Sequence, residues 1–500
     1  MSRPLRLIRM LAGVAFLLAA DVTLAASQDT PSPYASDAWL DTFARDTDGY
    51  AIFPTDDPVY VGNQPGDAPD LKTAQKQCRA NHTRCILFRR GQIYSASQIN
   101  DNAQTNGLSA AQPFVIGSTP DVQNPRPILQ KMLGVGNAHQ PTQFIVIFGL
   151  DFYDPAADPG SPAFDASQRR SQWAAAIRMV DTVSGGTHLW IEDCRVRYMQ
   201  SGFEIQDDSS GAPFATCIVR RCVVDHCYGA RYGVYTNHIR DLLLDQGLYD
   251  HNGWMEKIHP KDIFSHDLYL QEWPPGENLD PQTRVRGLIL ARAASTGCQQ
   301  RSGGINDGCC YIGNPIAGFV GEQPGSIISN AVICGAGFDL SIGRLNRRGW
   351  GAQLNFCPQA TLDNIICTDK ADARNDGWAF EIQCINTRTK QKVPTVATLR
   401  NLIVSGTWTG SALTVVGSPG SITYENCDLP GEASAPGIIA TPKYLDPGRT
   451  VARYAQALGL PGVTDAASFL TAAALNRRGS YNPALTASAV NTYIRAGFAH

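Results

Sequence analysis

Charge is scarce in this chain. Asp, Glu, Lys and Arg make up 17% of its 500 residues, where an ordinary soluble domain carries about 25%. The 42 basic and 45 acidic residues nearly cancel, to a formal net charge of -3. No global basic field therefore exists for nucleic acid, and an anionic partner needs a local basic patch. Long apolar runs are also missing. The longest, from Met10 to Ala20, is about half of what a bilayer-spanning helix needs. It follows Arg3, Arg6 and Arg9, is broken by Asp21, and precedes the small-residue site Thr23-Leu24-Ala25. That is the pattern of a secretory signal cleaved before Ala26. The mature chain is expected to be exported, periplasmic or secreted, with no membrane span after cleavage. No P-loop, dinucleotide fingerprint, HExxH or nucleophile elbow occurs. No cysteine or histidine pair has zinc-site spacing either.

What the sequence does have is repetition. A short apolar strand followed by a bend recurs between Phe144 and Cys427. Examples are Ile191-Glu192-Asp193-Cys194-Arg195-Val196, Ile218-Val219-Arg220-Arg221-Cys222-Val223 and Ile327-Ile328-Ser329-Asn330-Ala331-Val332. Leu362-Asp363-Asn364-Ile365-Ile366 and Ile422-Thr423-Tyr424-Glu425-Asn426-Cys427 continue the series. Units that cannot bury an apolar face alone must stack. Short strands with no amphipathic helices between them make that stack a parallel β-helix, of about ten rungs. The 46 Gly and 31 Pro residues suit its bends, and Asn330, Asn364 and Asn426 read as bend residues bonded to backbone.

Five segments follow. Residues 1–25 are the signal peptide, 26–54 a linker, 55–113 an N-terminal cap segment, 114–430 the β-helix and 431–500 a helical appendage. Apolar spacing predicts a helix over 70–80, with Leu71, Ala74 and Cys78 on one face. An open solenoid end needs such a cover. In the appendage, 452–458, 464–475 and 484–496 read as helices. Long excursions at 154–186, 271–284 and 369–376 interrupt the rungs. Of the 14 cysteines, Cys78 and Cys85 bracket a short turn and are expected to pair in an exported protein. Cys194 and Cys222 share one place in successive rungs and are expected to stack as buried thiols.

Several runs resemble the bacterial exported right-handed parallel β-helix proteins of the pectate-lyase-like superfamily. They are Val59-Tyr60-Val61 through Phe88-Arg89-Arg90-Gly91, Tyr249-Asp250-His251-Asn252-Gly253-Trp254 and Asp262-Ile263-Phe264-Ser265-His266-Asp267-Leu268-Tyr269. Gln300-Arg301-Ser302-Gly303-Gly304 and the tail from Ala489 to Phe498 join them. The resemblance covers roughly residues 55–500 and implies an all-β, right-handed parallel β-helix acting on carbohydrate. The superfamily includes polysaccharide lyases, glycoside hydrolases, uronan epimerases and phage tailspikes, so the resemblance implies a substrate class more strongly than a reaction. One departure stands out: Thr296 occupies the place where relatives carry a His, just before the Gly-x-Gln-x-Arg-x-Gly-Gly stretch.

Six of the nine histidines fall between 188 and 266, and the densest polar and aromatic run is 225–301. β-Elimination on a uronate needs a base, an acid for the leaving oxygen, and a cation to neutralise the carboxylate. His251 or Lys261 is the expected base, Arg301 or Arg292 the clamp and Tyr249 the acid. Trp254, His266, Tyr269, Gln299, Asp250 and Glu272 are the expected substrate contacts, since rings stack on sugar faces and polar groups meet hydroxyls. The same groups with the proton returned to the opposite face would give epimerisation. Hydrolysis would instead need two facing carboxylates, drawn from Asp225, Asp245, Asp250, Asp267 and Glu272. No metal ligands and no cofactor are assigned, although Ca²⁺ is compatible with an anionic-sugar site. The Asp207-Asp208 pair reads as a solvated face. The expected partner is an anionic polysaccharide, with the protein a monomer. A non-catalytic glycan-binding β-helix is the alternative from a different class.

Overall fold

The computed structural model describes residues 34–99, 102–103, 105–136, 140–167, 175–209, 211–229, 232–256, 258–271, 282–322, 325–335, 349–368, 378–385, 391–406, 408, 412–432, 435–439 and 444–498. The expected signal peptide and Glu272 lie outside them. Among the described residues the strands form three parallel sheets of 13, 11 and 11 strands. The chain visits the sheets in turn. Thr187–Glu192 lies in the first sheet, Arg195–Arg197 in the second and Ser201–Asp207 in the third, before Phe214–Arg220 returns to the first. The fold is thus an all-β parallel β-helix, as the repeats implied. It begins earlier than residue 114, because Val59–Val61 and Cys85–Phe88 are already the first two strands of the first sheet. Strands as short as Ile93–Tyr94 and Asn102–Ala103 complete these early turns, too brief to leave a period in the sequence.

Each corner has its own logic. Between the first and second sheets the chain turns through one left-handed residue per rung, including Asp193, Arg221, Gln246, Asn330, Asn364, Asn401 and Asn426. Asn tolerates this region better than other side chains because its short amide can bond locally. The amides also bond one another along the axis, Asn364 donating to Asn330 at 2.7 Å and Asn426 to Asn401 at 2.9 Å. On the outer face of the first sheet, Glu192, Arg220, Asp245 and Arg286 sit in register on successive rungs. Their charges alternate, with N–O separations of 2.9, 3.0 and 2.8 Å.

Two outer faces are covered by the chain's own ends. Residues 34–53, expected as linker, instead lie on the first sheet. There α1 (Ala35–Leu40) and the segment after it place Trp39, Leu40, Ala51 and Phe53 against Val146, Trp190, Ile218 and Leu243. Ser36 anchors them, its N–H and hydroxyl donating to Asp241 at 2.6 and 2.8 Å. The cap helix α2 (Leu71–Asn81) forms where expected, with the Asp70 side chain accepting from Thr73 N–H and Leu71, Ala74 and Cys78 in the core. At the other end α3 (Val451–Ala457), α4 (Ala466–Ala473) and α5 (Ala487–Gly497) lie on the second sheet. Phe469, Leu470, Val490 and Ile494 cover Leu248, Ile289, Cys310 and Val332 there. No helix among the described residues is long and apolar enough to cross a membrane.

All fourteen cysteines are buried free thiols. The Cys78–Cys85 disulfide is therefore not formed; the Cys78 thiol lies 3.6 Å from the Cys85 carbonyl oxygen instead. Cys194 and Cys222 stack in the core as expected, and burial pushes the Cys222 thiol well above its ordinary value. Asp207 is not on a solvated face. It is buried, and its carboxylate accepts from Ser209 N–H at 2.8 Å.

Candidate functional site

The third sheet has a different outer face. Its inward residues, such as Ile177, Phe203, Val234, Leu268, Cys298, Phe319 and Leu354, belong to the core. By strand alternation the residues between them point outward in two parallel columns. One runs Arg178, Glu204, Tyr235, Tyr269, Gln299, Val320, Gln353, Glu381 and Thr414. The other includes Gln206, Asn237 and Gln271, then Glu322, Asn355 and Gln383. Arg301 joins this second column just past its strand, its N–H bonding the Leu270 carbonyl at 2.8 Å. Neither the N-terminal segment nor the C-terminal helices belong to the clusters on this face. It forms a polar, aromatic floor along the solenoid axis.

The floor is best built around Tyr269. Tyr232 stacks on Tyr235 at 5.2 Å and on Tyr269 at 4.9 Å between ring centroids. His266 lies beside both Tyr232 and Tyr269, at 6.1 and 5.5 Å. The Arg301 guanidinium sits over the Tyr269 ring at 5.2 Å and pairs with Glu322 at 3.3 Å, its side chain 41% exposed. Gln299 links the two halves. With its amide turned over, its nitrogen donates to His266 Nε2 at 2.8 Å and its oxygen accepts from Arg301 Nε and Nη2 at 3.1 and 3.2 Å, satisfying both ends. That arrangement requires a neutral His266 whose Nε2 is an acceptor. Burial, with Arg301 adding to it, lowers the His266 pKa to about 3. Further along, Glu381 accepts from Gln353 and Gln383, both at 2.6 Å. Burial raises Glu204 above the ordinary carboxylate value, opposed by Arg178 at 3.1 Å.

The remaining expected site residues separate from this floor. His251, Trp254 and Lys261 belong to the connection from the second to the third sheet, where left-handed residues Tyr198, His226 and His251 follow successive strands. Their rings stack, with centroids 5.2 Å apart for Tyr198–His226, 4.5 Å for His226–His251 and 4.0 Å for His251–Trp254. The Lys261 ammonium sits 3.8 Å from the Trp254 ring centre. Burial, then His226, Arg292 and Lys261, lowers the His251 pKa to about 2, so a buried, stacked His251 makes a poor general base. The Arg292 fork is occupied by Asp250, at 2.8 Å through Nε and through a second bond from Nη2. That ion pair removes both residues as open substrate contacts. Tyr249 is 1% exposed and points into the solenoid core, where burial raises its hydroxyl well above the ordinary value. It cannot reach a leaving group from there.

The carboxylates expected for hydrolysis are dispersed as well. Asp225 pairs with Arg195 at 2.8 Å, Asp245 lies in the first-sheet charge ladder, and Asp267 is buried with its carboxyl raised by desolvation. Sequence reading missed Tyr235, Glu204, Glu322, Gln353 and Glu381. The available signal was alternation: Glu204, Gln353 and Glu381 each sit between two apolar residues of a short strand. Among the described residues no group of three or more His, Cys, Asp or Glu side chains could hold a metal ion.

No protein-family model matches the chain, and the search of curated proteins finds no match. Solved structures give weak likenesses. The A-module of mannuronan C-5 epimerase from Azotobacter vinelandii is 10% identical, with 73% of this chain and 93% of that one covered and a TM-score of 0.36. A lacto-N-biosidase from Eubacterium ramulus is 10% identical, covering 73% of this chain and 67% of that one at a TM-score of 0.34. A pectate lyase is 12% identical, covering 77% and 82% at 0.27. Likenesses of this strength transfer neither activity nor site residues to this chain.

Proposed function

We propose that the protein is an exported carbohydrate-active enzyme that lays a polysaccharide along the outer face of the third sheet and cleaves it by β-elimination. One observation carries this reading. The chain covers its first and second sheets with its own ends, yet keeps a floor of tyrosines, amides and Arg301 in register on the third. Rungs repeat about every 4.8 Å, so such a floor offers a ring or a hydrogen-bonding group at each step of an extended chain. Rings suit sugar faces, and amides both donate to and accept from hydroxyls.

In this reading Arg301 neutralises a substrate carboxylate, which acidifies the neighbouring C–H bond. A base then takes that proton, the C–O bond to the leaving sugar breaks, and the leaving oxygen is protonated. Tyr269 is the proton-exchanging group beside Arg301, and the buried His266 stays neutral beside it. Returning a proton to the opposite face of that carbon, with the C–O bond left intact, would make the same floor an epimerase.

Hydrolysis is the second reading, favoured by Glu322 and Glu381. They stand two rungs apart and in different columns, so their backbones are about 10 Å apart along the axis with a further offset along the strand, and their side chains must converge to reach the about 6.5–9.5 Å of inverting enzymes.

The test is incubation with a panel of polysaccharides, following ultraviolet absorbance of unsaturated uronate and release of reducing ends in parallel. β-Elimination gives both signals, and Arg301→Ala removes them in a protein still folded by circular dichroism. Reducing ends without absorbance select hydrolysis. A glycan bound but unaltered would overturn the enzyme reading and leave a binding protein.

A further inference from the structure

We infer that the glycan this floor accepts is a heteropolymer, with one acidic sugar met by Arg301 and flanked by uncharged sugars, rather than a polyuronate. The inference rests on the third sheet being the glycan floor. Its basis is the balance of charge along the two outward columns. Among the described residues these columns hold two guanidinium groups, Arg178 and Arg301, and three carboxylates, Glu204, Glu322 and Glu381. Arg178 is taken up by Glu204 at 3.1 Å. Asp208 adds a further negative charge felt by both Glu204 and Tyr235. Arg301 is the more exposed of the two arginines, at 41% against 32%, and although Glu322 pairs with its Nε at 3.3 Å its remaining N–H groups face the groove.

A polyuronate brings a carboxylate on every sugar. One meets Arg301; the next along the axis meets the part-exposed Glu322, with no further cation among the described residues of the two columns beyond it. Juxtaposed like charges in a contact cost several kcal/mol, and this is how a binding face rejects a wrong partner. Uncharged sugars meet a different surface. The part-exposed Asn355 and Gln383 line the rungs beyond Arg301 and can bond hydroxyl or acetamido groups. Tyr232, Tyr235 and Tyr269 provide stacked rings on the other side. The floor is therefore a single-anion clamp set in a neutral track.

The experiment is calorimetric binding of three length-matched oligosaccharides: a homopolyuronate, an alternating uronate–neutral chain and a wholly neutral chain. Any probe that is cleaved is compared instead by kcat/KM. The alternating chain should win by about tenfold or more over each of the others, the factor that 1.4 kcal/mol supplies. Glu322→Gln, checked for folding, should narrow the gap to the homopolyuronate. A homopolyuronate or a neutral chain bound most tightly, with Tyr269→Ala and Arg301→Ala still weakening binding, overturns the inference and leaves the floor as the glycan site. Binding indifferent to both of those variants overturns the site itself.

Discussion

The axial charge ladder of the first sheet permits a controlled test of what holds the rungs in register. Arg220 donates to Asp245 at 3.0 Å, to Glu192 at 2.9 Å and to the Gly49 carbonyl at 3.0 Å. The Glu192 and Asp245 side chains are 0% and 2% exposed. Arg220→Met keeps bulk but strands a buried carboxylate, which costs about 3–5 kcal/mol. Arg286, still 2.8 Å from Asp245, holds the loss toward the lower figure. The control lies in the same column. Arg400 pairs with Asp363 at 2.8 Å, but their side chains are 43% and 26% exposed, so Arg400→Met should cost no more than about 1 kcal/mol. Urea unfolding at unchanged m-value measures both. A loss at Arg220 no larger than the loss at Arg400 would refute burial as the source of the difference.

Two further outcomes follow from buried groups. Burial raises Asp181 to about 6, opposed by bonds from the Thr142 hydroxyl and N–H. A carboxyl raised on folding adds stability below its unfolded value and loses it as pH climbs through about 6. Between pH 7.5 and 4 the wild type should therefore gain up to about 3 kcal/mol over Asp181→Asn, and parallel pH–stability curves for the two would contradict this. All fourteen cysteines are buried, and the folded protein should leave a disulfide reagent such as Ellman's unconsumed until denaturant is added. Rapid reaction of the native protein would show open thiols instead.

Much of the fold was legible because stacking repeats one local instruction. The Ile-x-x-Cys and Asn-bearing bends name first-sheet strands and their left-handed corners directly. Asp70 before a three-to-four apolar spacing names the cap helix. What escaped detection depends on neighbours in space. Trp39 lies in a polar, serine-bearing stretch that looks like linker, and only Trp190 and Ile218 across the sheet give it a place. The site divided for the same reason. His251, Asp250 and Arg292 share a polar run with Tyr269 and Arg301, yet a corner of the solenoid separates them. Tyr249 was one residue out of phase, since a strand turns every second side chain inward. Glu322 and Glu381 were invisible as a pair because 59 positions of sequence (322 to 381) collapse into two rungs.

The most direct test of the central claim compares glycan binding by Tyr269→Ala, on the third-sheet floor, with Lys261→Ala, on the ring stack at the corner. With an oligosaccharide that binds the wild type, the account predicts at least about a tenfold loss of affinity for Tyr269→Ala and near wild-type affinity for Lys261→Ala. Retained binding in Tyr269→Ala together with its loss in Lys261→Ala would move the site to the corner and contradict the account.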